Sequence, residues 1–307
     1  MHQVKIACLV RHAQENAWQV ALQKRIARDQ LLLASSTTEG MGGGNVRLSE
    51  AAIHYDGAHI SLDRQASCIS YGAAADGIVT TARRDNSAAN SDQVLVVFIR
   101  DDYRLEPLTF WDTLGMRGTE SVGYRLLAQG TRDQILLEPY DRIHSSTMVP
   151  YAHLFWSSVW YGVAAGAVER ARTFVRSATR ASGGKLPPAA AQLTRARVTL
   201  NTLRSLIGSS IRLFERYEAE PDGLSMLDVQ LSLNFLKVEA SELAVSTVLS
   251  AARTCGLSGY RNDSDFALGR YIRDILSSPI MINNDRILAN AESTVLMSEI
   301  PSGFSAK

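Results

Sequence analysis

Beyond Pro150, backbone breakers divide the chain into three stretches, each long enough for many helical turns. The first is predicted from about Ala152 to Ala181, where Gly183-Gly184 end it. The second follows Pro187-Pro188 and stops before Pro221-Asp222-Gly223, and the third runs from Ser225 to about Cys255 and stops at Gly256. Helical spacing puts Leu193, Ala196, Leu200, Leu203, Ile207, Ile211 and Phe214 on one stripe of the second. It does the same for Leu227, Leu231, Phe235, Val238, Val245 and Leu249 in the third. Both stripes read as core. Shorter helices near Ser264 to Leu276 and Asp285 to Met297 complete an up-and-down bundle. Tyr151 to Val168 carries no Asp, Glu, Lys or Arg and nearly reaches the length of a membrane span. It runs on into Glu169, Arg170 and Arg172, so it reads as a central buried helix, with Gly162 and Gly166 suited to close helix contacts.

Ahead of the bundle the pattern is that of strands. Residues 15 to 34 predict a short helix entering a strand, and Thr37 to Asn45 predict a glycine-rich loop with many backbone and hydroxyl donors. A hairpin turns at Asp56-Gly57, and further strands are expected near Cys68 to Tyr71, Gly77 to Ala82, Gln93 to Phe98 and Tyr124 to Ala128. An antiparallel β-domain follows from this reading. The 32 basic and 31 acidic residues form no long like-charge block, which argues against nucleic-acid binding. The three scattered cysteines and the lack of a convincing signal peptide point to a reducing compartment, with the cytoplasm expected. No membrane attachment and no metal ligand set is expected.

The most specific run is Phe110-Trp111-Asp112-Thr113-Leu114-Gly115-Met116-Arg117-Gly118-Thr119. Trp111 and Leu114 read as apolar anchors, and Gly115 and Gly118 as positions where a turn excludes a Cβ. This run resembles the signature of the middle β-domain of the acyl-CoA dehydrogenases, flavoproteins that oxidise acyl thioesters. Other runs are similar in the same order: Thr38-Glu39, Asp63 to Gly72, Lys237 with Ser241-Glu242, Cys255 to Tyr260, and Arg273-Asp274. The resemblance implies an α+β fold, an antiparallel β-barrel-like middle domain followed by an up-and-down helical bundle. Its divisions would be a remnant of an N-terminal helical domain at 1–33, a β-domain at 34–148 and a C-terminal bundle at 149–307. It implies FAD as cofactor, held by Thr37, Thr38, Gly44, Cys68, Ser70 and Asn284, with Lys185, Arg253 and Gly256 reaching a neighbouring subunit's flavin. Hence it implies at least a dimer, and a bundle face left uncovered by a short N-terminus would also favour association.

Three departures shape the function. The family's glutamate base matches Ile282, which cannot abstract a proton, and the alternative base position matches Val159-Trp160. Cys68 replaces a tryptophan that packs on the flavin, and Lys185-Leu186-Pro187-Pro188 stands where the family contacts pyrophosphate. Asp285 is a weak substitute base, better read as a carboxylate favoured by a helix N-terminus. His153 reads as a surface or capping histidine, with an acid/base role as the alternative. Three readings follow: an FAD-dependent oxidoreductase of an acyl thioester of CoA or of an acyl carrier protein, lacking the usual base; a flavin-dependent monooxygenase on the same fold; or a non-catalytic subunit of a mixed dehydrogenase. Homo-oligomers and hetero-oligomers with a related subunit both fit.

Overall fold

Alternation builds the first unit. In β3 (His59–Ile69) Ile60, Leu62, Arg64 and Ala66 are buried while Asp63, Gln65 and Ser67 are exposed, the period of two of a strand with one wet face. The computed structural model describes residues 1–40 and 45–300. β3 lies in a four-stranded sheet of order β2-β3-β7-β6, with β2 (His54–Asp56), β6 (Tyr103–Pro107) and β7 (Val122–Thr131). All its pairings are antiparallel, and His54 faces Ser61 and Leu62 faces Ala128. Gly57 turns the expected hairpin at φ +58°.

The other sheet has the order β1-β4-β5: β1 (Leu33–Ser36), β4 (Gly77–Arg83) and β5 (Gln93–Ile99). β4 and β5 are antiparallel and almost wholly buried, but β1 runs parallel to β4, with Leu33 opposite Gly77. Purely antiparallel pairing therefore needs correction at this one strand, whose partner lies far along the chain beyond the hairpin. Ile53, Ile60, Leu62, Ile78, Val96, Phe98 and Leu126 form the core of this unit. Two helices precede the strands, α1 (His2–His12) and α2 (Ala17–Asp29). The unit also takes in α3 (Tyr140–Ile143) and the π-helical turn His144–Met148. The first unit comprises residues 1–112 and 117–152.

The second unit comprises residues 113–116 and those from 153 onward. Its long helices are α4 (Val149–Ala181, which begins in the first unit), α5 (Ala190–Tyr217) and α6 (Leu227–Cys255). The breakers act as expected. Gly183, Gly184 and Gly256 all have positive φ, +65°, +97° and +53°. Shorter helices follow: α7 (Leu257–Tyr260), α8 (Gly269–Ile275) and α9 (Asn284–Met297). Gly166 faces the Tyr271 ring, where a Cβ would stand 2.9 Å from it, whereas Gly162 meets nothing within 4 Å. No helix among the described residues is long and apolar enough to cross a membrane.

The stripe expected on α6 needs correction in part. Leu231 and Val238 are buried and Val245 packs on the core, but Leu227, Phe235 and Leu249 are 46%, 40% and 38% exposed, and Ile211 on α5 is 39% exposed. The buried face extends to Val229, Leu233, Leu236, Ala240, Ala244, Val248 and Ala251. α6 is buried on most of its circumference, with small alanines forming much of the contact.

Candidate functional site

In the first unit, the end of β3 and the residues before it present a row of hydroxyls. Ser67 Oγ donates to Thr38 Oγ1 at 2.9 Å, and Thr38 Oγ1 lies 3.8 Å from Cys68 Sγ. Ser70 Oγ is 2.8 Å from Ser121 Oγ, which is itself 2.8 Å from Thr119 Oγ1. Thr37 is buried, Thr38 and Ser70 are half-buried, and Cys68 is exposed. A register irregularity between Ala66 and Ile69 and a left-handed Tyr71, φ +46°, turn this end of the strand out of its ladder. So Thr38 with Cys68, and Ser70 with Ser121, are two polar groups at this end of the strand. Gly44 lies outside the described residues.

The signature run plays a different part from the one its residues suggest. Met116 N donates to Asp274 Oδ1 at 2.7 Å, and a Cβ on Gly115 would stand 2.1 Å from Arg273 O. Gly115 is therefore a true close approach, and the Arg273-Asp274 pair is what it approaches. Leu114, expected as an anchor, is 64% exposed. Gly118 meets nothing within 4 Å, and the left-handed turns fall on Met116 (φ +55°) and Glu120 (φ +45°).

In the second unit a buried cation organises the turn that matches the family's base. Lys237 on α6 is fully buried; its Nζ donates to Ile282 O at 2.8 Å and to Asn284 Oδ1 at 2.6 Å. Asn284 Nδ2 in turn donates to Ser241 Oγ at 3.0 Å and to Glu242 Oε1 at 2.8 Å. Burial lowers the Lys237 pKa to about 8, with Glu242 opposing the shift. Lys237 Nζ also lies 5.7 Å from the centroid of Trp160. Ile282 sits in this grip at φ +45°, an outlier for a β-branched residue and costly by about 1–2 kcal/mol. Strain of this kind gathers at functional turns.

Asn284 is therefore placed at the turn, but its amide is fully engaged in the clamp. Asp285 is exposed in the first turn of α9, where Asn283 Oδ1 accepts its N–H at 2.8 Å. That is the helix-terminal place expected of it. The carboxylate joined to the turn is Glu242, which the sequence marks only as part of a matching run; the signal available was its position one residue after Ser241 on the Lys237 helix. His153 needs correction: it is buried, not superficial, with Nδ1 3.0 Å from Leu233 O. Burial lowers its pKa to about 4, so the ring is neutral near pH 7. Val159, at the alternative base position, is 59% exposed, and Trp160 is buried.

Lys185, Arg253 and Gly256 are exposed elsewhere in this unit. Arg253 lies in the last turn of α6, which Gly256 closes. Lys185 follows Gly183-Gly184, where a Cβ would meet nothing within 4 Å. The residues present fit a flavin unevenly. The hydroxyl edge suits the hydrogen-bonding rim of a heterocycle. Cys68 offers no aromatic packing face.

No protein-family model and no curated protein sequence matches the chain. Solved structures do. FMN-bound TdsC, a dibenzothiophene monooxygenase from Paenibacillus sp. A11-2, superposes with a TM-score of 0.81 at 18% identity, over 98% of this chain and 79% of that one. Butyryl-CoA dehydrogenase from Megasphaera elsdenii gives 0.74 at 16% identity, over 95% and 74%. Glutaryl-coenzyme A dehydrogenase in complex with glutaryl-CoA gives 0.73 at 16% identity, over 96% and 73%. The fold of this chain is that of the acyl-CoA dehydrogenases, a fold shared by dehydrogenases of acyl-CoA and by a flavin monooxygenase.

Proposed function

We propose that this chain is a flavin-dependent oxidoreductase of the monooxygenase type, using reduced flavin and dioxygen rather than abstracting a proton from an acyl thioester. The observation that carries this is the 281–284 turn. Its architecture is elaborately held, yet the side chain at the matching base position is Ile282, and a dehydrogenase base contributes about a hundred- to ten-thousand-fold in rate. When bound, reduced flavin would pass two electrons to dioxygen, one oxygen atom going to the substrate and the other to water. The chain's own residues would bind and orient, Thr38 and Ser70 through their hydroxyls at the rim of the ring. FAD is the cofactor implied by the resemblance, while FMN carries no adenylate to be held. The structural neighbour with FMN bound favours the same reading.

A second reading has its own observation. Glu242 is held 2.8 Å from Asn284 Nδ2 at the same turn, and would serve as a displaced base in an acyl-thioester dehydrogenase acting on a CoA or carrier-protein thioester. Anaerobic mixing of the flavin-loaded protein with acyl-CoAs of several chain lengths separates the two. The first reading expects no bleaching of the flavin band, together with rapid reoxidation of the dithionite-reduced protein by air. Bleaching by a thioester, lost in Glu242→Gln, would establish the second instead. A chain that takes up neither FMN nor FAD would leave the non-catalytic subunit of a mixed oligomer.

A further inference from the structure

The helix α1 docks on the first unit through a face that is polar where a core is expected to be apolar. Lys5 and Cys8 are both fully buried, and across from them lie Arg64 of β3, 1% exposed, and Tyr140 of α3, 1% exposed. Lys5 Nζ donates to Met148 Sδ at 3.6 Å, and Tyr140 OH donates to the same sulfur at 3.1 Å. A thioether is a weak acceptor, and here it is asked to serve two donors.

Arg64 is better served on one side only. Its Nη1 is 3.4 Å from Glu39 Oε2, and donates to Ser49 Oγ at 3.2 Å and to Thr81 O. Its Nε and Nη2 are buried and find no acceptor among the described residues. Glu39 is already shared, accepting the N–H groups of Glu50 at 2.8 Å and Ala51 at 2.9 Å. The charged side chains of the seam are therefore Lys5 and Arg64, positive, against Glu39, negative, while burial and Lys5 hold the pKa of the neighbouring Met1 amino group below its usual value. One positive charge is left over. The two cations act on each other: burial first, and Arg64 as well, bring the Lys5 pKa down to about 8, which still leaves the ammonium mostly charged at pH 7. Cys8 cannot balance it, because burial raises its pKa to about 11.

A buried excess charge beside unpaired N–H donors costs several kcal/mol unless an acceptor of opposite sign meets both needs. Water would satisfy the donors but not the charge. We propose that this seam binds a small monovalent anion of halide size, held by Lys5 Nζ and by Nε and Nη2 of Arg64. One negative charge balances the excess, while a divalent oxyanion would overshoot it. The polarisable sulfurs of Met148 and Cys8 also suit a halide better than a hard oxyanion.

The test uses the full chain. Thermal unfolding is followed in sodium chloride and in sodium gluconate at equal ionic strength, gluconate being too large to enter. Chloride is expected to raise Tm by about 2 °C for each tenfold increase above its Kd, and gluconate is not. Lys5→Met removes the excess charge at similar volume, and should fold and become indifferent to the choice of salt. Crystals grown in sodium bromide, measured at the bromine absorption edge, should show an anomalous peak within hydrogen-bond reach of Lys5 Nζ and the Arg64 guanidinium. Equal Tm in the two salts, a seam without a bromine peak, or a chloride effect that survives Lys5→Met undiminished would each overturn the proposal. If Lys5→Met does not fold, the bromine map of the unaltered chain decides.

Discussion

The hydroxyl edge of the first unit and the 281–284 turn of the second are built on opposite plans. At the edge, side chains carry the polar groups: Thr38 bonds Ser67 beside Cys68, Ser70 pairs with the buried Ser121, and Thr38, Ser67, Cys68 and Ser70 remain partly open to solvent. At the turn, the chemistry is in the support. A buried lysine holds a backbone carbonyl and an asparagine, and the residue so held is an isoleucine. The comparison teaches that a turn can be elaborately held by buried hydrogen bonds while the side chain it presents is inert, and that hydrogen-bond architecture alone does not reveal a reaction.

The largest way to break this contrast is Lys237→Met. It leaves Ile282 O and Asn284 Oδ1 without their charged donor inside the unit, so unfolding should become easier by about 2–4 kcal/mol. Denaturant titration measures it. A change under about 0.5 kcal/mol would mean the turn holds itself.

His153 gives a comparable effect through pH. Its folded pKa is about 4 against 6.5 in the unfolded chain, so between those values the unfolded state binds the extra proton. Stability from this group is complete above pH 6.5 and is lost as pH falls towards 4, by about 3 kcal/mol. His153→Gln should flatten the acid limb of a stability profile taken on the second unit's signals, such as fluorescence of Trp160.

Much of this was legible in the sequence, for a physical reason. Gly183-Gly184, Pro187-Pro188 and Gly256 act through the backbone itself, which any context must obey, so the ends of α4, α5 and α6 could be read directly. Faces were harder to read. α6 hides its alanines and shows Phe235 and Leu249, and α1 turns Lys5 and Cys8 inward, so apolar spacing was fully right only at Leu231 and Val238 in one and pointed to no helix in the other. The parallel pairing of β1 with β4 depends on distant partners. At the site, Ile282 was recognised from its place in the chain, but its left-handed backbone was not, because β-branched residues seldom take it. Nor could the sequence show that Glu242 and Asn284 meet, since that hydrogen bond joins α6 to the start of α9.

Smaller changes sharpen the contrast. Ile282→Gly should stabilise the chain by about 1 kcal/mol, offset in part by the apolar burial the isoleucine side chain supplies, because glycine takes φ +45° freely. The same substitution on the Lys237→Met background should gain less, as the clamp no longer enforces the conformation; a double-mutant cycle in denaturant measures the coupling. At the edge, Thr38→Val and Ser70→Ala should each leave stability within about 0.5 kcal/mol and weaken flavin binding by about three- to tenfold.

The most direct test of the central claim is a titration of the purified full chain with FMN and with FAD, followed by quenching of flavin fluorescence. The account predicts saturable binding of at least one flavin, weakened by Thr38→Val and Ser70→Ala and little changed by Ile282→Gly. Saturable binding that ignores both edge substitutions, or no quenching with flavin in large excess over a folded chain, would contradict it.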